Sequence, residues 1–415
     1  MFGRNSYVGQ PQSVGTWQGA PRRGMTGLQR RRGIARSLFG AALLFSVLPG
    51  TVLPASASVA RNGHAGPLWQ VAKSPDLAGR LVSVSCPGLS FCMTVGHTDN
   101  GAGIIELWQG KSWTSLPIPT FAKSVLPTGV SCPSVTSCIV VGQESQGGPM
   151  AMRYTRGAWH DFALPNLVGG FDGGLVGVSC AGLSWCMAVG SGLGDAKPYS
   201  EGFAYSYNGR TWSLSKVAQP KYGSLLDGAY CSALSPPSCV AVGLRFSEYP
   251  VGSPPPDAVP YTLIEEFNGN SWVRPSGPVL AGRLMGVSCL ASGCLAVGIN
   301  QVGRNQVGVA LTKNTNGWTT GTPAQAYARD PLLSVSCELR TQCVAVGDDG
   351  HSNGVAILSW KEGWSSFRAP VVALPAGLVD VSCLSRTVAR PFCVAVGFES
   401  NGLHGSMRTL VLRME

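Results

Sequence analysis

Fourteen cysteines are the first residues in this chain that could do chemistry. They fall into seven close pairs: Cys86/Cys92, Cys132/Cys138, Cys180/Cys186, Cys231/Cys239, Cys289/Cys294, Cys337/Cys343 and Cys383/Cys393. A thiol pair at such spacing can ligate a metal, cycle as a dithiol or close as a cystine. Zinc needs four nitrogen or sulfur ligands, and no pair has a histidine pair beside it. A redox dithiol is more often C-x-x-C, and a catalytic pair has no reason to recur seven times. The even count suits structural disulfides, provided the chain reaches an oxidising compartment.

Histidine is scarce, with five in the chain. Three of them, His97, His351 and His404, lie one, four and seven residues after the glycine that closes a cysteine-containing phrase, in units one, six and seven, and Asp99, Asp348 and Asp349 lie in the same stretches. Brought together, they would form an acid–base or metal-binding cluster. Left apart, they are solvated loop residues. His97, Asp99, Asp348, His351 and His404 are the candidate ligand-binding residues; no catalytic residue, metal ligand or cofactor is assigned.

The elements that position these residues are visible as a repeat. The text around the cysteines reads VSVSC…CMTVG, TGVSC…CIVVG, VGVSC…CMAVG, GAYC…CVAVG, MGVSC…CLAVG, LSVSC…CVAVG and VDVSC…CVAVG, at first-cysteine intervals of 46 to 58 residues. Tryptophans keep the same beat after glycine-containing turns, at Trp113, Trp159, Trp212, Trp272, Trp318 and Trp364. A β-type run precedes each turn. One unit therefore reads as four short strands, A to D. A ends at the first cysteine, B runs from the second cysteine to the glycine, C is the β-run and D carries the tryptophan. Seven such units predict an all-β, seven-bladed β-propeller with four antiparallel strands and one A–B hairpin disulfide per blade. An open β-repeat is the alternative. The ends favour a ring. The last unit stops after its C strand, whereas GPLWQVAKSP supplies an orphan D strand whose Trp69 lies 17 residues before Cys86. The other D-strand tryptophans precede their cysteines by 17 to 21. The N-terminal strand is expected to close the last blade.

Composition bounds the function. Glycine (55) and proline (29) are abundant and charged residues make up 13%, as in a turn-rich β protein rather than a disordered one. The net charge of +10 suggests nucleic acid, but seven arginines in residues 1–60, with no Lys, Asp or Glu, account for most of it. The remainder is near +3 and carries no basic stripe, which argues against a nucleic-acid partner. Those first residues read instead as an export signal. Arg30–Arg32 and Arg36 precede an apolar run, Ser37–Leu53, and an A-x-A site at Ala55–Ala57. Cleavage is expected after Ala57, with Ala60 as the alternative; the true start could be Met25. An uncleaved anchor and a twin-arginine signal are the other readings. This gives a signal peptide over 1–57, a flexible tail over 58–65 and one propeller domain over 66–415. The mature chain is expected to be secreted or in the cell envelope, off the membrane and monomeric.

A–B and C–D connections are short. The B–C stretches at 96–103, 190–202, 243–260, 347–354 and 397–405, and the D–A stretches at 116–129 and 163–174, are longer. Any site is expected on the face they share. Two motif matches lack the context their chemistry needs. GHSNG at 350–354 fits G-x-S-x-G but lies between strands, without the strand–turn–helix of a nucleophile elbow. GSGLG at 190–194 is followed by Pro198 rather than by a helix.

SYNGRTW at 206–212 resembles the Asp-box of sialidase-type propellers, one residue short and with Asn208 for the usual aspartate. In that family the box is structural. The whole repeat resembles secreted bacterial β-propellers of the Asp-box/kelch-like kind, particularly actinobacterial exported proteins with a VSC…CxAVG phrase. The resemblance covers about residues 66–415. It implies the fold and transfers no catalytic residue: a sialidase needs clustered arginines, and nothing in the repeats places Arg80, Arg283 and Arg340 together. The reading of function is a secreted binding or scaffold module that presents its longer-looped face to a cell-surface glycan or protein. The alternative is an extracellular polysaccharide or glycoconjugate hydrolase or lyase. A third option is an envelope-assembly factor with no small ligand.

Overall fold

The computed structural model describes residues 69–414, apart from 76, 123, 168–171, 194–199, 233–236, 248–259, 303–304, 322–330, 340–341, 349–354, 361–363, 367–369, 371, 388–389 and 401–404. The expected leader and tail lie outside the described residues. The chain forms four-stranded antiparallel sheets, or blades. Six blades take four consecutive strands each. In blade 1 these are Arg80–Gly88, Phe91–His97, Gly103–Trp108 and Trp113–Ser115. The inner strands of blades 2 to 6 are Val125–Ser134, Asp172–Gly182, Ser224–Ser232, Gly282–Leu290 and Leu332–Leu339. The remaining sheet, blade 7, is composite: Ala376–Thr387, Arg390–Ser400 and Met407–Met414 come from the C-terminal end, and the outer strand is Trp69–Val71. Trp69 pairs with Met414 and Val71 with Leu412. Each inner strand contacts the inner strand of the next blade, and that of blade 7 returns to that of blade 1, which closes the ring.

The burial of each strand follows from its place in the ring. The second strand, the C-x-A-V-G run, is packed between neighbouring blades and is buried on both faces, as in Phe91–His97. That is why it is a continuous apolar run rather than an alternating one. The outer strand is reached by solvent and buries only its tryptophan, as in Trp113–Ser115. Those indoles pack toward the preceding blade. Trp113 clusters with Phe392 and Val411, Trp272 with Met187 and Val189, and Trp318 with Val240 and Val242.

Three positions of the repeated phrase have distinct physical reasons. The cysteines form seven cystines, one per A–B hairpin: Cys86–Cys92, Cys132–Cys138, Cys180–Cys186, Cys231–Cys239, Cys289–Cys294, Cys337–Cys343 and Cys383–Cys393, with Cα atoms 3.9–4.1 Å apart. Each closes a small loop and contributes roughly 2 kcal/mol by loop-closure entropy. The glycine ending AVG faces a β-bulge in the inner strand, present in all seven blades. A Cβ there would lie 1.9–2.1 Å from an inner-strand carbonyl oxygen, for example that of Arg80 for Gly96 and Gly174 for Gly190. Third, the serine before the first cysteine reaches across to the next blade. Ser85 Oγ accepts from the Cys132 N–H (2.9 Å), Ser131 from Cys180 (3.0 Å) and Ser179 from Cys231 (2.9 Å). Ser288 accepts from Cys337 (3.0 Å), Ser336 from Cys383 (3.0 Å) and Ser382 from Cys86 (3.1 Å). Tyr230 occupies the position between blades 4 and 5, so the serine clasp is absent there.

The expected strand ends are corrected at both ends of the phrase. The cysteines were expected to end the first strand and to begin the second, but they stand inside the ladder. Cys239, Cys343 and Cys393 lie within Ser238–Phe246, Gln342–Asp348 and Arg390–Ser400, not at their first residues. Cys231 faces Cys239 directly in register, as Cys383 faces Cys393, so each cystine bridges a pair the backbone already holds together. At its other end the second strand continues past its glycine, because the ladder resumes beyond the bulge. In blade 3 it runs to Leu193 and pairs with a third strand beginning at Ser200; in blade 7 it runs to Ser400. The inner strands of blades 2 and 3 begin at Val125 and Asp172, inside stretches expected to be loop, and the connection before the former contains one 3-10 turn, Thr120–Ala122.

Candidate functional site

The inner strands run from the face bearing the B–C and D–A connections toward the cystines. The residue three before the first cysteine sits where neighbouring inner strands approach most closely. In blades 2 to 5 it is Gly129, Gly177, Gly228 or Gly286. A Cβ at these positions would meet the next blade at 3.0 Å (Val176 O), 3.1 Å (Asp227 O), 2.7 Å (Met285 O) and 2.9 Å (Ser334 Cα). In blades 6, 7 and 1 the same position carries Ser334, Asp380 and Ser83. There, hydrogen bonds replace the close backbone approach. Asp380 accepts from Ser334 Oγ (2.5 Å), the Val84 N–H of blade 1 (2.8 Å) and its neighbour Val381 N–H (2.9 Å). Ser83 Oγ accepts from the Val130 N–H of blade 2 (3.2 Å). Loss of water pushes the Asp380 carboxyl above its usual range, while the hydrogen bonds from Ser334, Val84, Val381 and Ser83 pull it back.

Above this polar sector, at the long-loop end of blade 1, Arg80 pairs in register with His97. Both are half-buried. Burial pushes the His97 imidazole below its ordinary value and the Arg80 charge acts the same way, against the hydrogen bond to Thr98 and the charge of Asp99. The His97 Nδ1–H donates to the Thr98 carbonyl at 3.3 Å. The following turn is tied to itself: Thr98 N–H donates to the Ala102 carbonyl (2.8 Å) and Ala102 N–H to Thr98 Oγ1 (2.9 Å), leaving Asp99 exposed at its tip. Arg80 Nε is buried and has no hydrogen-bond partner. The corresponding arginine of blade 5 is different. Arg283 makes a two-pronged ion pair with the buried Asp227 of blade 4, its Nε 2.6 Å from Oδ2. The position equivalent to Asp227 beside Arg80 is Val379.

The structure thus places His97 and Asp99 together in blade 1 and Asp348 at the end of the second strand of blade 6, two blades away. Phe398 occupies the equivalent place in the blade between them. His351 and His404 lie outside the described residues, as do Asp349 and Arg340. Among the described residues no group of three or more His, Cys, Asp or Glu could hold a metal ion. The sequence reading missed Ser83, Ser334 and Asp380. Their signal was present, since they are the only units whose phrase lacks a glycine three residues before the cysteine, but its meaning depends on the ring. Asn208, singled out in the turn motif, caps that turn by accepting from the Arg210 and Thr211 N–H groups (3.0 and 2.9 Å). Asn268 does the same one blade on.

No protein-family model and no curated protein matches the chain. Solved structures do. The structure of YCF48 bound to D1 peptide is 13% identical with a TM-score of 0.51, over 83% of this chain and 96% of that one. YCF48 from Cyanidioschyzon merolae is 12% identical with a TM-score of 0.51, over 84% and 98%. The GH74 xyloglucanase from Xanthomonas campestris is 11% identical with a TM-score of 0.50, over 82% of this chain and 55% of that one. At these identities the likeness establishes that this chain shares their β-propeller architecture and nothing about its activity.

Proposed function

We propose that the chain is an exported binding propeller that receives a cell-surface glycan or protein on the axial face opposite the cystines, over blades 6, 7 and 1. The observation that carries this reading is the break in ring symmetry. Four blades have glycine where their inner strands meet, and three adjacent ones have Ser334, Asp380 and Ser83, with the unpaired Arg80 Nε and His97 at the rim. Ser334, Asp380 and Ser83 bond to one another and to neighbouring inner strands, so the groups offered to a ligand are Arg80 and His97 above them. A few convergent polar groups on a rigid frame are what fix a ligand's orientation. Export is part of the proposal. The arginine-led apolar run ending at Ala57 supports it, and seven cystines form and persist in an oxidising compartment. Among the described residues no helix is long and apolar enough to cross a membrane. The architecture is compatible with either partner class: the YCF48 structure holds a peptide, and the xyloglucanase is named for a polysaccharide.

The test is a glycan array and a cell-wall pull-down with the chain beginning at residue 58, repeated with an Arg80→Ala/His97→Ala variant. The reading expects a retained partner and at least about tenfold weaker retention by the variant at unchanged thermal stability, as for loss of charged contacts at an interface. Retention equal in both proteins, or none in either assay, would overturn it.

A further inference from the structure

Each inner strand has one bulged residue, four before its first cysteine. In blade 4 it is Asp227, buried against Arg283 of blade 5. In the other blades it is Val82, Thr128, Val176, Met285, Leu333 or Val379, and all six are half-buried. The residue before it on the strand belongs to the core: Leu81, Leu175, Leu284, Leu332 and Leu378 are fully buried. The second strands cover the outer side of the inner strands, so water reaches the bulged side chains from the ring axis. Five of the six are apolar. A closed collar of apolar side chains around a wet axis is a concave apolar surface of the kind that receives a ligand.

The side chains are ordered along that axis. The residue six before the cysteine lies nearest the long-loop face, and in blade 1 it is Arg80. The layer three before the cysteine lies deepest, and there a Cβ at Gly129 or Gly286 would already meet the next blade at 3.0 or 2.9 Å, so the inner strands close on one another. Rim to floor is three residues of strand, about 10 Å. Charge follows the same order. Arg80 pairs with no carboxylate among the described residues; Nε is shut from solvent, and its terminal nitrogens are not. The bulged residue beside it is Val379, where Asp227 satisfies Arg283. On the floor stands Asp380, an acceptor already engaged by Ser334, Val84 and Val381. A ligand matched to this order carries an anion at the rim and an apolar body below, and enters body first. A chain end entering by its own carboxylate would bring that charge to Asp380 and away from Arg80. A sugar would set hydroxyls against the collar. One guanidinium balances one charge, which suits a carboxylate better than a phosphate monoester of nearly two. We infer that the axial well binds a small monocarboxylic acid with an apolar body, its carboxylate on the terminal nitrogens of Arg80 and its body among Val82, Val176, Met285, Leu333 and Val379. The well lies within the proposed binding face and shares Arg80 with it, but needs no glycan or protein partner.

The experiment is a titration of the chain beginning at residue 58 with hexanoate, followed by calorimetry and by broadening of the ligand's proton resonances. Hexanamide, acetate, hexyl phosphate and the dipeptide acid acetyl-alanyl-leucine are the comparison ligands. Hexanoate is expected to saturate a single site per chain. Hexanamide lacks the charge and acetate the body, and each should bind at least about tenfold more weakly. Arg80→Gln should lower hexanoate affinity by about tenfold or more. Val379→Asp sets a carboxylate beside Arg80 as Asp227 stands beside Arg283, and should abolish the binding. Met285→Gln keeps the side-chain size at a solvent-facing position and should weaken it without earlier melting, so the test stands even if the aspartate variant melts early. Hexanoate binding with no glycan or protein retained would uphold this site and sink the partner reading; a retained partner with no hexanoate binding would do the reverse. Equal binding of hexanamide, tighter binding of the dipeptide or of hexyl phosphate, or indifference to the Arg80 and Met285 changes would each overturn the inference.

Discussion

The Ser382 hydroxyl accepts a hydrogen bond from the backbone N–H of Cys86 at 3.1 Å, across 296 residues of chain. It fastens the last blade to the first next to a cystine, at the edge of the sheet opposite the outer strand Trp69–Val71, which joins the chain's two ends. A net intramolecular hydrogen bond of this kind contributes about 1 kcal/mol, and leaving the donor buried and unmet costs about the same again. Ser382→Ala is expected to lower the unfolding free energy by about 1–2 kcal/mol, read from the denaturant midpoint at unchanged m-value. An unaltered midpoint would mean that the clasp is incidental.

The bulge argument predicts a sharp contrast between two glycines of one blade. A Cβ at Gly190 would sit 2.1 Å from the Gly174 carbonyl oxygen, whereas at Gly182 it would meet nothing within 4 Å. Gly190→Ala should destabilise by at least about 1–3 kcal/mol, the usual cost of overpacking, since backbone rather than a flexible side chain must give way. Gly182→Ala should stay within about 0.5 kcal/mol of the parent. Similar melting of the two variants would contradict the bulge as the reason for the repeated glycine.

Glu106 is fully buried, and neither carboxylate oxygen has a partner. Its counterpart in blade 4, Glu265, is held by Arg274, with Nε 3.0 Å from Oε1. Ser115 is in register with Glu106 where an arginine would be needed. Burial pushes Glu106 up to about 7. A carboxyl with a raised folded-state pKa binds more protons folded than unfolded, so stability falls as pH rises from about 4.5 through about 7. The full penalty, on the order of 3 kcal/mol, applies above that range. Glu106→Gln should flatten this part of the pH–stability curve and gain most at pH 8. A parent curve that rises from pH 5 to 8 with the same slope as the variant would show that Glu106 does not titrate this way.

The cystines differ in access. Both cysteines of Cys289–Cys294 are half-exposed, whereas Cys92, Cys138, Cys186 and Cys393 are fully buried. The same junction lacks its serine clasp, because Tyr230 stands there. Under limiting reductant in native conditions, alkylation and mass mapping should find Cys289 and Cys294 labelled first. Earlier labelling of Cys86 and Cys92 would refute the ranking.

The strand succession and the pairing of each cysteine with its neighbour were readable because both are local. Period-2 patterns, turn glycines and cysteines separated by 5 to 10 residues need no knowledge of distant chain. Strand ends were less readable. A bulge lets the ladder resume beyond a glycine that looks like a stop, so loops expected at 190–202 and 397–405 are partly strand. Of the candidate site, His97 and Asp99 were found from residue type and do share one turn. Ser83, Ser334 and Asp380 were passed over, since serine or aspartate next to VSC looks like ordinary solvent-facing alternation.

The sequence by itself determined the repeating unit: which segments are strands, where hairpins turn, and which cysteines meet. Each is encoded within about ten residues, where backbone period and turn chemistry act directly. Tertiary structure alone decided which polar groups are partnered. The partner of Ser85 is 47 residues away, that of Ser382 is 296 away, and what is missing beside Glu106 or Arg80 is a side chain on another strand or blade. Only closure of the ring sets those strands side by side, and only then does a substitution in one repeat leave a donor or a carboxylate in its neighbour without a counterpart.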